Sequence, residues 1–325
     1  MKSSSLRLMI LWCALICCGA LPVHAQPDNS ARYPERPLNL VVAFSPGGTT
    51  DLAFRLLARE VEKLLGQPVV VQNRVGGGGA ISVGAIALAK PDGYTFGQVP
   101  TQTVFVMPFI EKLQYNPALD LTFISQFAEA PFGIVAKKDS SYASLKDLIA
   151  EARRNPGMLS YGTNAATGVA NLVIDQIGRQ ENARFTNVPF KGSPEAHTAL
   201  LGGHIAFVAG EINSSMVENG PLRVLALFSD KSRPMYPTVP SLKDLGYDIP
   251  APVFLVIAGP KGMPAAIVRR IDEAVARAVR EPSFLKGAQE LKLSIVYRDH
   301  KELTEYVARN YEYFGKLLAE MGLAK

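Results

Sequence analysis

Short apolar runs alternate along this chain with longer stretches in which apolar residues recur every third or fourth position. The short runs predict strands at 38–44, 68–72, 94–99, 132–136, 158–162, 186–189, 205–209, 222–228 and 252–258. The amphipathic stretches predict helices at 50–65, 79–89, 144–154, 168–179, 193–202, 264–280 and 299–321. Strands alternating with helices imply β-α-β units, hence mainly parallel sheets covered by helices on both faces. Turn residues mark the joints. "GQP" (Gly66 to Pro68) stops the first long helix, "PDG" (Pro91 to Gly93) stops the next, and Pro264 sits where a helix start needs no N–H.

The alternation divides into three blocks. The middle block, 129–226, has its own strand–helix series and is expected to form one lobe. Residues 32–128 and 227–325 are expected to form the other, because the last helices need a surface to cover. Such an arrangement makes the middle block an insertion joined by at least two chain crossings, a layout suited to hinge closure over a ligand.

The N-terminus changes the composition. Lys2 and Arg7 precede an apolar run, "LMILWCALICCGAL", and Val23 and Ala25 follow at small-residue spacing. This is the pattern of a cleavable secretory signal peptide over 1–25; the run is shorter than the roughly 20 residues of a membrane span. Cleavage after Ala25 would remove Cys13, Cys17, Cys18 and the only tryptophan, Trp12. The mature chain would have no disulfide, no thiolate metal site and no cysteine nucleophile. Its formal charge would fall from +5 to +3, since Lys2 and Arg7 leave and no acid leaves with them. The remaining basic residues are scattered, which speaks against a nucleic-acid partner. A soluble bacterial periplasmic protein, monomeric, is the expectation.

The candidate chemistry lies at glycine-rich turns between strands and helices. "AFSPGGTTD" (Ala43 to Asp51) lacks the lysine of a phosphate loop and the spacing of a dinucleotide fingerprint. What remains is a helix start with unpaired N–H groups and the hydroxyls of Thr49 and Thr50. It suits a small anion such as a carboxylate, or Thr49 or Asp51 simply caps the helix. A second such start is "SYGTNAATG" (Ser160 to Gly168), with Gly162, Thr163, Asn164 and Thr167. A third turn, "VPFKGSPEA" (Val188 to Ala196), brings Lys191 and Ser193, and Glu211 follows the next strand. "NRVGGGGAISVGA" (Asn73 to Ala85) reads as a mobile turn into a helix with a small-residue packing face. No G-x-S-x-G elbow and no H-E-x-x-H occur. His197 and His204 are separated by a helix-breaking "LGG" (Leu201 to Gly203), so a shared metal is not expected. The expectation is a binding protein, not an enzyme, with no cofactor and no metal.

Several long segments in order carry a resemblance. "YPERPLNLVVAFSPGGTTD", "LGQPVVVQNRVGGGGA", "PDGYTF", "YGTNAATG", "VPFKGSPEA", "LGGHIAF", "PTVPSLKDLGY" and "GPKGMPAAIVRRI" closely resemble the tripartite tricarboxylate transporter substrate-binding proteins, also called the Bug family, across 33–325. The resemblance implies an α/β, type II periplasmic binding protein with a ligand cleft between two lobes. It implies capture of a small organic acid (a di- or tricarboxylate, an acidic amino acid or an aromatic acid) for delivery to integral membrane permease subunits. A ligand-sensing role for a membrane kinase is the alternative. Carried over position by position, the ligand loops are Phe44, Ser45, Gly47, Gly48, Thr49 and Asp51; Thr101 and Thr103; Gly162, Thr163, Asn164 and Thr167; Phe190, Lys191 and Ser193; and Glu211. Ser45 stands where the family usually has proline, and Gly210–Glu211 where an aspartate–asparagine pair is usual. With one carboxylate at each facing helix start, a dicarboxylate would bridge the lobes and bind the closed state best. A valine at Gly47 is expected to block that backbone approach.

Overall fold

The computed structural model describes residues 32–229, 235–249, 251 and 253–325. The expected signal segment 1–25 lies outside them, as does part of the strand expected at 252–258. The strands are β1 (Leu38–Val42), β2 (Val69–Asn73), β3 (Thr95–Gln98), β4 (Leu121–Ala128), β5 (Phe132–Lys137), β6 (Leu159–Thr163), β7 (Phe185–Pro189), β8 (Phe207–Glu211), β9 (Leu222–Leu227) and β10 (Leu255–Pro260). They form two five-stranded sheets, in the orders β2-β1-β3-β10-β4 and β7-β6-β8-β5-β9. Each sheet, with its helices, makes one α/β lobe. The chain passes from the first to the second between β4 and β5 and returns between β9 and β10.

The sheets are mixed: in each, four strands run the same way, as expected of β-α-β units, and one is reversed. In the first, β1 pairs parallel with β2 and β3, while β10 runs antiparallel to both β3 and β4. In the second, β6 pairs parallel with β7 and β8, and β5 runs antiparallel to β8 and β9. The reversed strand in each sheet is the first strand after a crossing. The chain arrives at it from the other lobe and not over a crossover helix, so the handed β-α-β rule does not set its direction.

The helices are α1 (Thr49–Leu65), α2 (Ala80–Ala87), α3 (Thr101–Phe105), α4 (Met107–Ile110), α5 (Leu145–Arg154), α6 (Val169–Glu181), α7 (Ser193–Leu201), α8 (Ser214–Glu218), α9 (Ala265–Ala278), α10 (Pro282–Glu290) and α11 (His300–Glu320). In α1 the buried Ala53, Phe54, Leu57, Val61 and Leu65 form one face, and the helix ends on left-handed Gly66, whose N–H donates to Glu62 O at 2.9 Å. Ser144 and Asp147 form a reciprocal capping box at the start of α5. α9 packs on α1 and β4, and α11 on β4 and α3, so the C-terminal helices cover the first lobe. Phe105 lies between Phe254, edge-on at 5.5 Å, and Phe314, stacked at 5.4 Å. Each such buried aromatic contributes roughly 1.5–3 kcal/mol by removal from water.

The far end of α11 behaves differently. Leu318 packs with the core of the second lobe, and Gln176 of α6 reaches the Met321 sulfur at 3.3 Å. The C-terminal helix is therefore a third connection between the lobes, beside the two crossings. Among the described residues no helix is long and apolar enough to cross a membrane.

Candidate functional site

The strand ends of both sheets meet along the interlobe cleft. A cavity of ≈ 590 Å³ lies there, lined from the first lobe by Ala43, Phe44, Gly76 to Gly79, Met107 and Glu111. From the second lobe it is lined by Asn164 to Thr167, Pro189, Phe190, Lys191 and Glu195. A smaller space of ≈ 30 Å³ continues past Phe44 between Thr50, Gln98, Thr101, Phe132 and Asn164.

The lobes touch directly on either side of the cavity. Ser45 Oγ donates to Glu195 Oε1 at 2.6 Å, and Thr49 Oγ1 to the Ile212 carbonyl at 3.3 Å. The Thr167 hydroxyl donates to Glu111 Oε1. Backbones approach as well. A Cβ built on Gly192 would lie 3.0 Å from both Cβ and N of Ser45, and one on Gly78 would lie 2.9 Å from Cβ of Ala165. Gly78 also has φ 58, which favours glycine. The run Gly76 to Gly79 is therefore a cavity wall and a lobe contact, more than the packing turn that its sequence suggested.

One N–H at the start of α1 is bonded by the other lobe. Glu211, 4% exposed at the end of β8, accepts the Thr50 N–H of α1 and, through Oε2, the Ser193 hydroxyl at 2.6 Å. Burial pushes its carboxyl above the ordinary range, against the opposing pull of Ser193, the Thr50 N–H and the Thr49 and Thr50 hydroxyls. A negative group at this helix N-terminus is where the dipole favours it. Glu211 thus reaches across the cleft. Neither Thr49 nor Asp51 caps α1: no side chain caps Gly48, the N-cap residue.

Asp51 braces the loop instead. It accepts Gly47 N at 2.9 Å, Arg55 Nε at 2.9 Å and Asn73 Nδ2 at 2.7 Å, while Asn73 also donates to the Phe44 carbonyl at 2.9 Å. Burial alone would raise its carboxyl; Arg55, Asn73 and the Gly47 N–H outweigh that and hold it below the usual carboxylate range. Asp51→Ala strips the acceptor from three donors. It is expected to lower stability by about 2–4 kcal/mol, read as a lower urea midpoint at unchanged m-value, with Asp51→Asn losing less.

Of the expected ligand residues, Phe44, Asn164, Thr167, Phe190 and Lys191 line the cavity, and Thr101 lines its extension. Ser45, Gly48, Thr49, Ser193 and Glu211 sit at the lobe–lobe contact. Three others shape the loops. Thr103 donates to the Pro100 carbonyl at 2.6 Å, and the Thr163 hydroxyl sits 2.6 Å from the Ala165 carbonyl. Gly162 packs under Phe190 and Ile205. Gly47 is exposed at φ 86, and a Cβ there meets nothing within 4 Å. It turns the chain and meets no atom of the other lobe, whereas Gly192 makes the close approach to Ser45. Sequence reading passed over Met107, Glu111 and Glu195; only Glu195, inside the "VPFKGSPEA" segment, had a neighbouring signal. Among the described residues no group of histidines and carboxylates is placed to hold a metal.

Two α/β lobes joined by crossings, with a walled cavity between them, define a two-lobed periplasmic solute-binding protein. The model for the tripartite tricarboxylate transporter family receptors matches residues 53–323, and the chain belongs to that family of substrate-binding proteins. It is 34% identical over 275 residues to protein BugT of Bordetella pertussis, covering 81% of this chain and 84% of BugT. A solved structure described as a periplasmic transporter superposes with TM-score 0.84 at 28% identity, covering 90% of this chain and 99% of that one. R. palustris Rpa4515, solved with adipate, superposes with TM-score 0.83 at 26% identity, covering 90% and 99%.

Proposed function

We propose that this protein captures a small organic carboxylate between its lobes in the periplasm and hands it to an integral-membrane permease of the tripartite tricarboxylate type. The observation that carries the reading is the interlobe cavity, with Lys191 among its lining residues and apolar walls from Phe44, Met107 and Phe190. It is large enough for an acid of the size of adipate, the ligand of the R. palustris relative. Ligand contact is assigned to Phe44, Asn164, Thr167, Phe190 and Lys191. Export by the N-terminal segment places the protein where such a permease would meet it.

Calorimetry on protein refolded free of carried ligand, against a library of small organic acids, tests the reading. At least one acid is expected to bind saturably with one site per chain, and Lys191→Ala is expected to weaken it about tenfold or more. A folded, ligand-free sample that binds no acid sinks the proposal. The handover is checked by uptake of the identified acid in intact cells, which deletion of this chain is expected to abolish.

A further inference from the structure

One wall of the cavity is made of four consecutive glycines. Gly76 to Gly79 have φ 132, 55, 58 and 104, all in the region that side chains rarely enter. Glycine has the widest backbone freedom of any residue, so nothing in these four keeps them in this shape. Two bonds close turns at the run itself: the Gly79 N–H donates to the Gly76 carbonyl at 3.0 Å, and the Ala80 N–H to the Gly77 carbonyl. Neither ties the wall to another element.

Gln102 does. Its Nε2 donates to the Gly78 carbonyl at 2.7 Å. Gln102 belongs to α3, a short helix in which every residue is buried, so the tie runs to a fixed support. The run also lies close on that support, since a Cβ on Gly79 would sit 2.8 Å from Cγ of Pro100. The same glutamine borders the other lobe: a Cβ on Gly168, at the start of α6, would lie 3.6 Å from the Gln102 Cβ. Gly78, the residue it holds, is the one whose Cβ would meet Ala165 across the cleft. One side chain therefore sits between the glycine wall, its support and the opposing lobe.

We infer that Gln102 is a positioning residue for ligand capture. Its amide fixes Gly78 where the wall meets Ala165, so that the cavity wall is formed before the ligand arrives. Four free glycines would otherwise have to be ordered at the moment of binding, and that ordering would be subtracted from the affinity. The inference rests on the carboxylate-capture reading above and deepens it.

The test uses calorimetry on the refolded full chain with the tightest acid of the library, and amide hydrogen exchange on the same protein without ligand. Gln102→Met fills similar space and cannot donate; melting curves confirm that it folds. Its affinity is expected to fall about tenfold. Its Gly79 and Ala80 amides are expected to exchange about tenfold faster than in wild type, with those of α1 unchanged. Gln102→Glu can donate to Gly78 only when protonated. Its affinity is taken as a ratio to wild type at each pH, which cancels the ligand's own titration. That ratio is expected to lie below that of Gln102→Met while the carboxyl is ionised, and to rise above it as pH falls through the carboxyl range. A space-filling role alone would leave the two variants level at low pH. Wild-type affinity or wild-type exchange in folded Gln102→Met, or a Gln102→Glu ratio that never passes that of Gln102→Met, overturns the inference and leaves carboxylate capture standing. Should Gln102→Met not fold, Gln102→Glu decides alone, and a ratio to wild type that does not change with pH overturns the inference. Binding of no acid by folded wild type overturns both.

Discussion

Gly192→Val is expected to weaken ligand binding about ten- to hundredfold while leaving the melting temperature within a few degrees of wild type. The residue has φ −173 and ψ 177, extended backbone that valine also adopts, so the variant carries no backbone strain. The obstacle lies in the other lobe. A Cβ at this position meets Cβ and N of Ser45 at 3.0 Å and Ser45 Oγ at 3.2 Å. The Ser45 loop has little room to yield locally. Its neighbour Phe44 is held by Asn73, and Ser45 itself is bonded to Glu195. The cheapest relief is for the lobes to part. Overpacking of this kind costs about 1–3 kcal/mol, and here only the closed state bears it. Affinity falls by the fraction of closed state lost. The measurements are calorimetry with the tightest acid from the screen, and the radius of gyration in solution with that acid bound. Wild-type affinity together with a wild-type compact form would show that the Gly192–Ser45 approach is not needed for binding. The smaller Gly192→Ala should show the same sign with a weaker effect.

The second large effect concerns Glu211. Glu211→Gln is expected to stabilise the protein at a pH above the raised folded value of the Glu211 carboxyl, and Glu211→Ala to destabilise it. Glutamine can accept the Thr50 N–H and donate to the Ser193 hydroxyl, so it keeps both contacts without a buried charge. Alanine leaves both buried partners unsatisfied, at about 1–3 kcal/mol, or about 2–4 °C of melting temperature for each kcal/mol in a chain of this size.

The pH dependence follows from the sign of the shift. The folded carboxyl lies above its unfolded value of 4.5, so the folded state holds the proton more tightly. Its contribution is complete below 4.5 and is lost as pH rises through the raised folded value. The nearby His197, 1% exposed and sharing a hydrogen bond with the Glu211 backbone, works in the opposite direction. Burial depresses it from 6.5 to about 4, so its contribution is present above 6.5 and is lost as pH falls toward 4. It is neutral above that range and offers Glu211 no counter-charge. Wild-type stability should therefore decline as pH rises from 4.5 through the raised folded value, and Glu211→Gln should flatten that decline while leaving the His197 limb in place. Because Thr50 belongs to the opposite lobe, affinity for an acid should fall over the same pH range in wild type and not in Glu211→Gln. Identical declines in the two proteins would mean that Glu211 is not the titrating group.

The elements were readable where local pattern and burial coincide. α1 was expected over 50–65 and runs Thr49–Leu65, and most strands fall within two residues of expectation. β4 was missed because buried Ser125 and Gln126 interrupt its apolar run. Gln126 is held by Arg298, far along the chain, and no local pattern shows that. α10 was missed because Gly287 weakens its helical signal. In the fold that glycine lets the helix lie against Leu56 of α1, since a Cβ there would sit 2.8 Å from Leu56 Cδ2. The glycine turns at Phe44, Asn164 and Phe190 were readable as helix starts, since a strand, a glycine and an amphipathic run are contiguous signals.

Sequence by itself determined the alternation of strands and helices, the two-lobed class and the turns that border the cleft. Each of these rests on residues that are neighbours in the chain. Only the tertiary structure decided which groups face one another. Ser45 meets Glu195, Thr50 meets Glu211 and Gly78 meets Ala165 across the cleft, between positions far apart in sequence. Such pairings depend on how two separately folded sheets meet and leave no periodic trace in either lobe. For the same reason "AFSPGGTTD" looked equally like an open anion site and a capped helix. Its Thr50 N–H is bonded to Glu211 of the other lobe, a partner that no neighbouring residue in the chain announces.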